Sequence, residues 1–169
     1  MIIWVNGPFG VGKTSVATEL AELLPGSLVF DPELIGTFIR GLLPAELQEP
    51  DYQDIALWRD LTRHIAESTA NLYDRPLIVP MTLVSRDYFI EIVGSLTRSG
   101  CDVRHFTLLA SRERILERHR GRADYEEWGE QQLDRCLAAL SEPAFAVHLD
   151  TEDSSPGDIA REIVARLAS

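Results

Sequence analysis

Apolar residues alternate along the chain between short unbroken runs and longer stretches with helical spacing. Ile2-Ile3-Trp4-Val5 is an unbroken run, the pattern of a parallel strand buried on both faces. Val16, Leu20, Leu23 and Leu24 then recur at helical spacing as far as the Pro25-Gly26 stop. Residues 27–31 read as a second strand, and Pro32 opens a helix to about residue 43. Ile55, Leu57, Trp58, Leu61, Ile65 and Leu72 mark a helix over about 51–73. Residues 77–82 form a third strand, 86–98 a helix closed by Gly100, and 103–109 a fourth strand. Ser111 sits as an N-cap for a helix running toward Arg122. A polar, aromatic segment, 124–129, separates it from a helix through about residue 140. A short fifth strand over 145–149 and a helix from Pro156 to Leu167 complete the chain. Strands alternating with helices predict one α/β domain over 1–169, with a five-stranded parallel sheet flanked by helices.

Between the first strand and its helix lies Gly7-Pro8-Phe9-Gly10-Val11-Gly12-Lys13-Thr14, which fits the phosphate-binding P-loop pattern G-x-x-x-x-G-K-[ST]. Its glycines let the backbone curl so that amides point inward at phosphate oxygens. The helix that follows turns its free N–H groups and positive dipole end toward the same anion. The pattern assigns nucleotide binding to Gly7, Phe9, Gly10, Val11, Gly12, Lys13, Thr14 and Ser15. Lys13 reaches the β- and γ-phosphates of ATP, and the Thr14 hydroxyl ligates Mg²⁺. Lys13 is also the only lysine; the other fifteen basic residues are arginine. A compact, rotatable ammonium stands where a planar guanidinium fits poorly.

Composition narrows the partners. A net charge of −11 over 169 residues argues against a general nucleic-acid or anionic-membrane binder. No apolar run approaches the ~20 residues that span a bilayer. The N-terminal run lacks a basic region before it, so no signal peptide is expected. Cys101 and Cys136 have no metal-like spacing and read as reduced thiols of a cytoplasmic protein. Oligomeric state is not readable from the chain.

A chain with one lysine cannot hold the Asn-Lys-x-Asp guanine loop of GTPases, and the Leu-Ser-Gly-Gly-Gln signature of ABC transporters is missing. The third strand ends Val79-Pro80-Met81-Thr82 without the adjacent acids of helicases and ring ATPases. What remains resembles the small nucleoside- and nucleotide-kinase-like group. Six segments narrow the resemblance: Ile2-Ile3-Trp4-Val5-Asn6-Gly7, Phe30-Asp31-Pro32-Glu33, Leu57-Trp58-Arg59, Leu77-Ile78-Val79-Pro80-Met81-Thr82, His105-Phe106-Thr107-Leu108-Leu109-Ala110-Ser111 and Asp134-Arg135-Cys136. Together they look like the tunicamycin-resistance family and span nearly the whole chain. Longer members of that family run on past the final helix, whereas this chain stops at Ser169, so membrane attachment through such a tail is not carried over.

The resemblance implies an acceptor site opposite the P-loop and an arginine-bearing lid at about 118–129. It implies ATP-dependent phosphotransfer to a hydroxyl of a small molecule, such as a nucleoside antibiotic of the tunicamycin kind, with sequestration without turnover as the alternative. By the same resemblance Asp31 contacts the acceptor hydroxyl or a magnesium-bound water, and taking that hydroxyl's proton is its natural role. Its other reading is an N-cap for the Pro32 helix. Arg112, Arg114, Arg118, Arg120 and Arg122 fall within eleven residues, and Arg114, Arg118 and Arg122 share one helix face. They read as phosphoryl-clamping lid residues, Arg118 and Arg122 foremost, or as a solvated face paired with Glu113 and Glu117. Acceptor candidates are Glu33, Arg40, Trp58, Arg59, Met81 and Thr82, with Trp58 equally suited to the core. Pro80 is expected to end strand pairing and turn Met81 and Thr82 toward the cleft. With no acid on the third strand, Mg²⁺ falls to Thr14, phosphate oxygens, water and Asp31.

Overall fold

A computed structural model of the chain describes residues 1–121 and 127–168. Five parallel strands form one sheet in the order β2-β3-β1-β4-β5, with β1 at Ile2–Asn6, β2 at Leu28–Val29, β3 at Leu77–Pro80, β4 at Val103–Leu109 and β5 at His148–Asp150. The helices are α1 (Lys13–Leu23), α2 (Glu33–Leu42), α3 (Ala56–Leu72), α4 (Arg86–Phe89), α5 (Ser95–Arg98), α6 (Arg112–Arg120), α7 (Glu127–Gln131), α8 (Leu133–Leu140) and α9 (Pro156–Leu167). From β1 the chain passes to the edge strand β2, returns to β3 beside β1, and then crosses to β4 on the other side of β1. A crevice therefore opens at the carboxyl ends of the central strands, where open α/β sheets bind ligands.

The apolar run of β1 is buried on both faces. Ile3 and Val5 join Val16, Leu20, Leu116 and Ile163 in one core layer, and Ile2 and Trp4 join Ile39, Trp58, Val79 and Leu96 in the other. The period of two in the strand assigns alternate residues to opposite layers. Helix α9 is fixed at its start by a capping box, in which the Ser155 hydroxyl and the Asp158 carboxylate serve each other's backbone N–H.

Several elements are shorter than the sequence pattern predicts. β2 is two exposed residues at the sheet edge, so Phe30 and Asp31 lie beyond it. The expected helix from residue 51 begins with a 3-10 turn at Tyr52–Asp54, and α3 starts at Ala56. The expected helix over 86–98 is two α segments joined by a π segment at Ile90–Gly94. The fifth strand starts at His148, because Pro143–Phe145 is a 3-10 turn.

Candidate functional site

Gly7, Gly10 and Gly12 hold φ of 150°, 82° and 109°. The tightest case is Gly10, where a Cβ would come within 2.6 Å of the His119 Cβ. Gly12 ends the loop as the N-cap of α1 in the left-handed region, leaving the first N–H groups of α1 facing the loop mouth. Lys13 Nζ donates to Pro8 O at 2.9 Å across that mouth and stands 5.5 Å from the Phe9 ring centre.

The loop is pinned to the end of β3 by two buried side chains. Asn6 Oδ1 accepts from Gly7 N at 2.8 Å and from Leu83 N at 2.9 Å, while its Nδ2 donates to Leu83 O at 2.9 Å. Thr82 Oγ1 donates to Gly7 O at 2.9 Å. β3 ends at Pro80, as expected. Met81 N still donates to Val5 O at 3.0 Å, and Met81 packs in the core. Met81 and Thr82 are therefore buried behind the loop, not turned into the cleft.

Two cavities flank the P-loop. The first, of about 540 Å³, runs from Phe9, Gly10, Lys13 and Thr14 to Asp31, Glu33 and Arg40. Asp51, Tyr52 and Pro80 form its far wall, and His119 and Trp128 its near side. Asp31, one residue before the Pro32 N-cap of α2, accepts from Glu33 N through Oδ1 at 2.9 Å and lines the cleft. Glu33, Thr37 and Arg40 present one face of α2 to the cavity. Gly36 gives Tyr52 its place, since a Cβ there would meet the Tyr52 ring at 2.6 Å. Burial and the carboxylates of Glu33, Asp51 and Asp31 push the Tyr52 phenol well above its ordinary range, so it remains protonated. Trp128 packs edge-on against Phe9 at 5.2 Å and is 38% exposed.

The second cavity, of about 380 Å³, lies on the other side of Gly10, Val11, Gly12, Thr14 and Ser15. Arg118, Thr151, Ser154, Pro156 and Ile159 enclose it. Arg118 is anchored there by Nη2 to Thr151 O at 2.6 Å and Glu152 O at 3.2 Å, with Nη1 to Thr151 Oγ1 at 3.1 Å. Its lining combines the Arg118 guanidinium with the apolar side chains of Pro156 and Ile159, groups that suit a flat base.

The sequence-predicted residues thus divide. Phe9, Gly10, Lys13, Thr14, Asp31, Glu33 and Arg40 meet in the first cavity, and Val11, Gly12, Ser15 and Arg118 line the second. Trp58 does not reach the cleft: it is wholly buried and its Nε1 donates to Pro32 O at 3.0 Å. Arg59 braces the neighbouring loop instead, through Glu91 at 2.8 Å, Gln53 O at 2.6 Å and the Tyr88 ring at 4.3 Å. Arg114 bonds Glu117 and Glu152 O, Arg120 is clamped on Glu130, and Arg122 lies outside the described residues. Asn6, Asp51, Tyr52, His119, Trp128 and Thr151 had drawn no role from the sequence pattern. Only Asn6 carries a local signal, a polar residue closing an unbroken apolar run.

Among the described residues no group of three or more His, Cys, Asp or Glu could hold a metal, and no helix is long and apolar enough to cross a membrane. A nucleotide-bound Mg²⁺ needs no such cluster, because it keeps several waters and takes phosphate oxygens with one or two protein ligands. Thr14 and Asp31 line the same cavity and suit that arrangement. Burial pushes the Cys136 thiol up, consistent with an inert thiol.

The model of the AAA domain family matches residues 2–143. No curated protein matches the sequence significantly. Among solved structures, the tunicamycin resistance protein of Deinococcus radiodurans is 32% identical with a TM-score of 0.83, covering 99% of this chain and 95% of its own. A gluconokinase from Sinorhizobium meliloti is 22% identical with a TM-score of 0.65, covering 98% and 90%. A shikimate kinase from Acinetobacter baumannii, solved with shikimate, is 20% identical with a TM-score of 0.63, covering 99% and 92%. The latter two likenesses concern the fold alone.

Proposed function

The chain belongs to the AAA domain family and to the tunicamycin-resistance proteins within the P-loop kinase fold, and from that premise we propose that it is an ATP-dependent phosphotransferase acting on a hydroxyl of a small molecule. A nucleoside antibiotic such as tunicamycin is the first acceptor to test. One observation carries the reading: cavities on opposite sides of a single P-loop share Gly10 and Thr14. The cavity holding Arg118 takes the base of ATP, the loop holds its phosphates, and the cavity holding Asp31 takes the acceptor.

In this arrangement the loop amides and Lys13 neutralise the phosphates, so catalysis is positioning and electrostatic stabilisation. Asp31 accepts the proton as the acceptor oxygen forms its bond to the γ-phosphorus. The bond from that phosphorus to the β–γ bridging oxygen breaks, and ADP leaves. Thr14, with Asp31 in the same cavity, would hold Mg²⁺, which would supply charge neutralisation on the phosphates. The lid role of Arg122 rests on its spacing in the sequence, four residues after Arg118.

A second reading, nucleotide-dependent sequestration without turnover, is favoured by the missing acid after β3, where Met81 and Thr82 are spent on core and loop. Incubation with Mg-ATP and tunicamycin separates the two. A phosphate mass shift on the drug with matching ADP supports transfer, and tight binding without a shift supports sequestration.

A further inference from the structure

Among the described residues, every polar side chain of the turn at 51–54 is bonded within the protein except one. Asp51 Oδ1 accepts from Gln53 N at 3.0 Å, Gln53 Nε2 donates to Thr82 O at 3.0 Å, and Asp54 Oδ1 accepts from the Tyr88 hydroxyl at 2.8 Å. From α3, Arg59 Nη1 donates to Gln53 O at 2.6 Å, and from α2, Arg40 Nη2 donates to Pro50 O at 2.9 Å. The turn is therefore fixed to α2, α3, α4 and the segment after β3.

The exception is Tyr52. Its ring lies in the recess left by Gly36 and packs against Trp58 with ring centres 5.3 Å apart. Phenylalanine would fill that place equally well. The phenol oxygen has no hydrogen-bond partner among the described residues, yet it is not sealed into the core. Tyr52 lines the first cavity, and the carboxylates that act on its hydroxyl, Glu33, Asp51 and Asp31, line it too. Burial, foremost, and those carboxylates keep the phenol protonated, so it offers an O–H at any working pH. In the phosphotransfer reading the reacting hydroxyl gives its proton to Asp31, which accepts only. That step makes no use of a fixed donor on the neighbouring turn.

We propose that Tyr52 is a specificity-determining residue of the acceptor site, whose O–H donates to a second oxygen of the acceptor, a carbonyl, ether or hydroxyl oxygen other than the one that takes phosphate. The cavity then selects molecules with two oxygen functions, one donating to Asp31 and one accepting from Tyr52. Analogues without the second oxygen are rejected, because they leave the phenol unpaired. The placement of the acceptor rests on the phosphotransfer reading.

Calorimetry on the full chain loaded with Mg-AMPPNP tests this, with tunicamycin, uridine, gluconate and shikimate as probes. At least one probe is expected to bind. Tyr52→Phe keeps the ring and removes only the hydroxyl. It should weaken that probe about threefold to tenfold and leave AMPPNP affinity and melting unchanged. Where Mg-ATP phosphorylates the probe, KM should rise by the same factor while kcat stays within about twofold, the signature of a contact made equally in ground and transition states. Equal affinity of wild type and folded variant for every bound probe overturns the proposal, and so does the absence of any bound probe. Should Tyr52→Phe not fold, Gly36→Ala serves in its place. It keeps the hydroxyl, but its Cβ would meet the Tyr52 ring at 2.6 Å and push it from the recess, so the same loss is expected and wild-type affinity refutes it. The two readings fail separately. A probe held through Tyr52 that never gains phosphate sinks phosphotransfer and leaves the Tyr52 contact standing. Phosphate transferred with the wild-type KM in Tyr52→Phe does the reverse.

Discussion

Lys13 is the only lysine among sixteen basic residues, and its ammonium spans the loop mouth to Pro8 O at 2.9 Å. A guanidinium is larger and planar, and it cannot rotate three donors among carbonyl and phosphate oxygens in that space. Lys13→Arg is therefore expected to weaken ATP binding or slow turnover by about tenfold or more although the charge is kept; an ATP titration alongside an ADP assay reads this, and wild-type values for both would refute it. One oxygen of Asp31 accepts from Glu33 N while the residue lines the first cavity. Asparagine preserves that accepted bond but cannot take the proton. Asp31→Asn is thus expected to cut transfer by roughly 10²–10⁴ while sparing ATP affinity. Retained transfer would reduce Asp31 to a cap.

At the scale of elements, the P-loop holds its shape because β1 and the segment after β3 are tied by side chains as well as by the ladder. Asn6 is wholly buried and satisfies Gly7 N, Leu83 N and Leu83 O. Asn6→Ala would leave two buried amides and a carbonyl without these partners, costing about 3 kcal/mol or more. Chemical denaturation measures that loss. Nucleotide affinity should fall with it, because the clamp fixes where the loop leaves β1; full stability in the alanine variant would mean that water replaces the clamp. The sequence exposed the glycines and the lysine here but not the clamp, whose partner lies 77 residues away. It also overextended strands and helices whose ends depend on long-range contacts. β2, at the sheet edge, is only two residues long.

Across the whole molecule, β4 carries a titrating group that links stability to pH. His105 donates from Nδ1 to Ala146 O at 3.2 Å and packs edge-on against Phe89. Burial, chiefly, pushes its pKa down from 6.5 to about 4. Protonation therefore favours the unfolded chain. The stability that neutral His105 contributes is complete above its ordinary pKa and is lost as pH falls from there through about 4, by up to about 3 kcal/mol. Denaturation midpoints across that window should slope downward on acidification, and His105→Gln should flatten the slope; an identical slope in the variant would assign the loss to other groups. By itself the sequence determined the alternating α/β order, the doubly buried central strand and the P-loop. Each of these is encoded by neighbouring residues whose spacing matches a backbone period or a single loop. Only the tertiary structure decided that Trp58 and Met81 belong to the core, that Arg118 lines the second cavity beside the P-loop, and that Asp51, Tyr52, His119 and Trp128 line the first. Those residues come from separate turns and helices, and their meeting depends on how helices pack on the sheet, which no local spacing records.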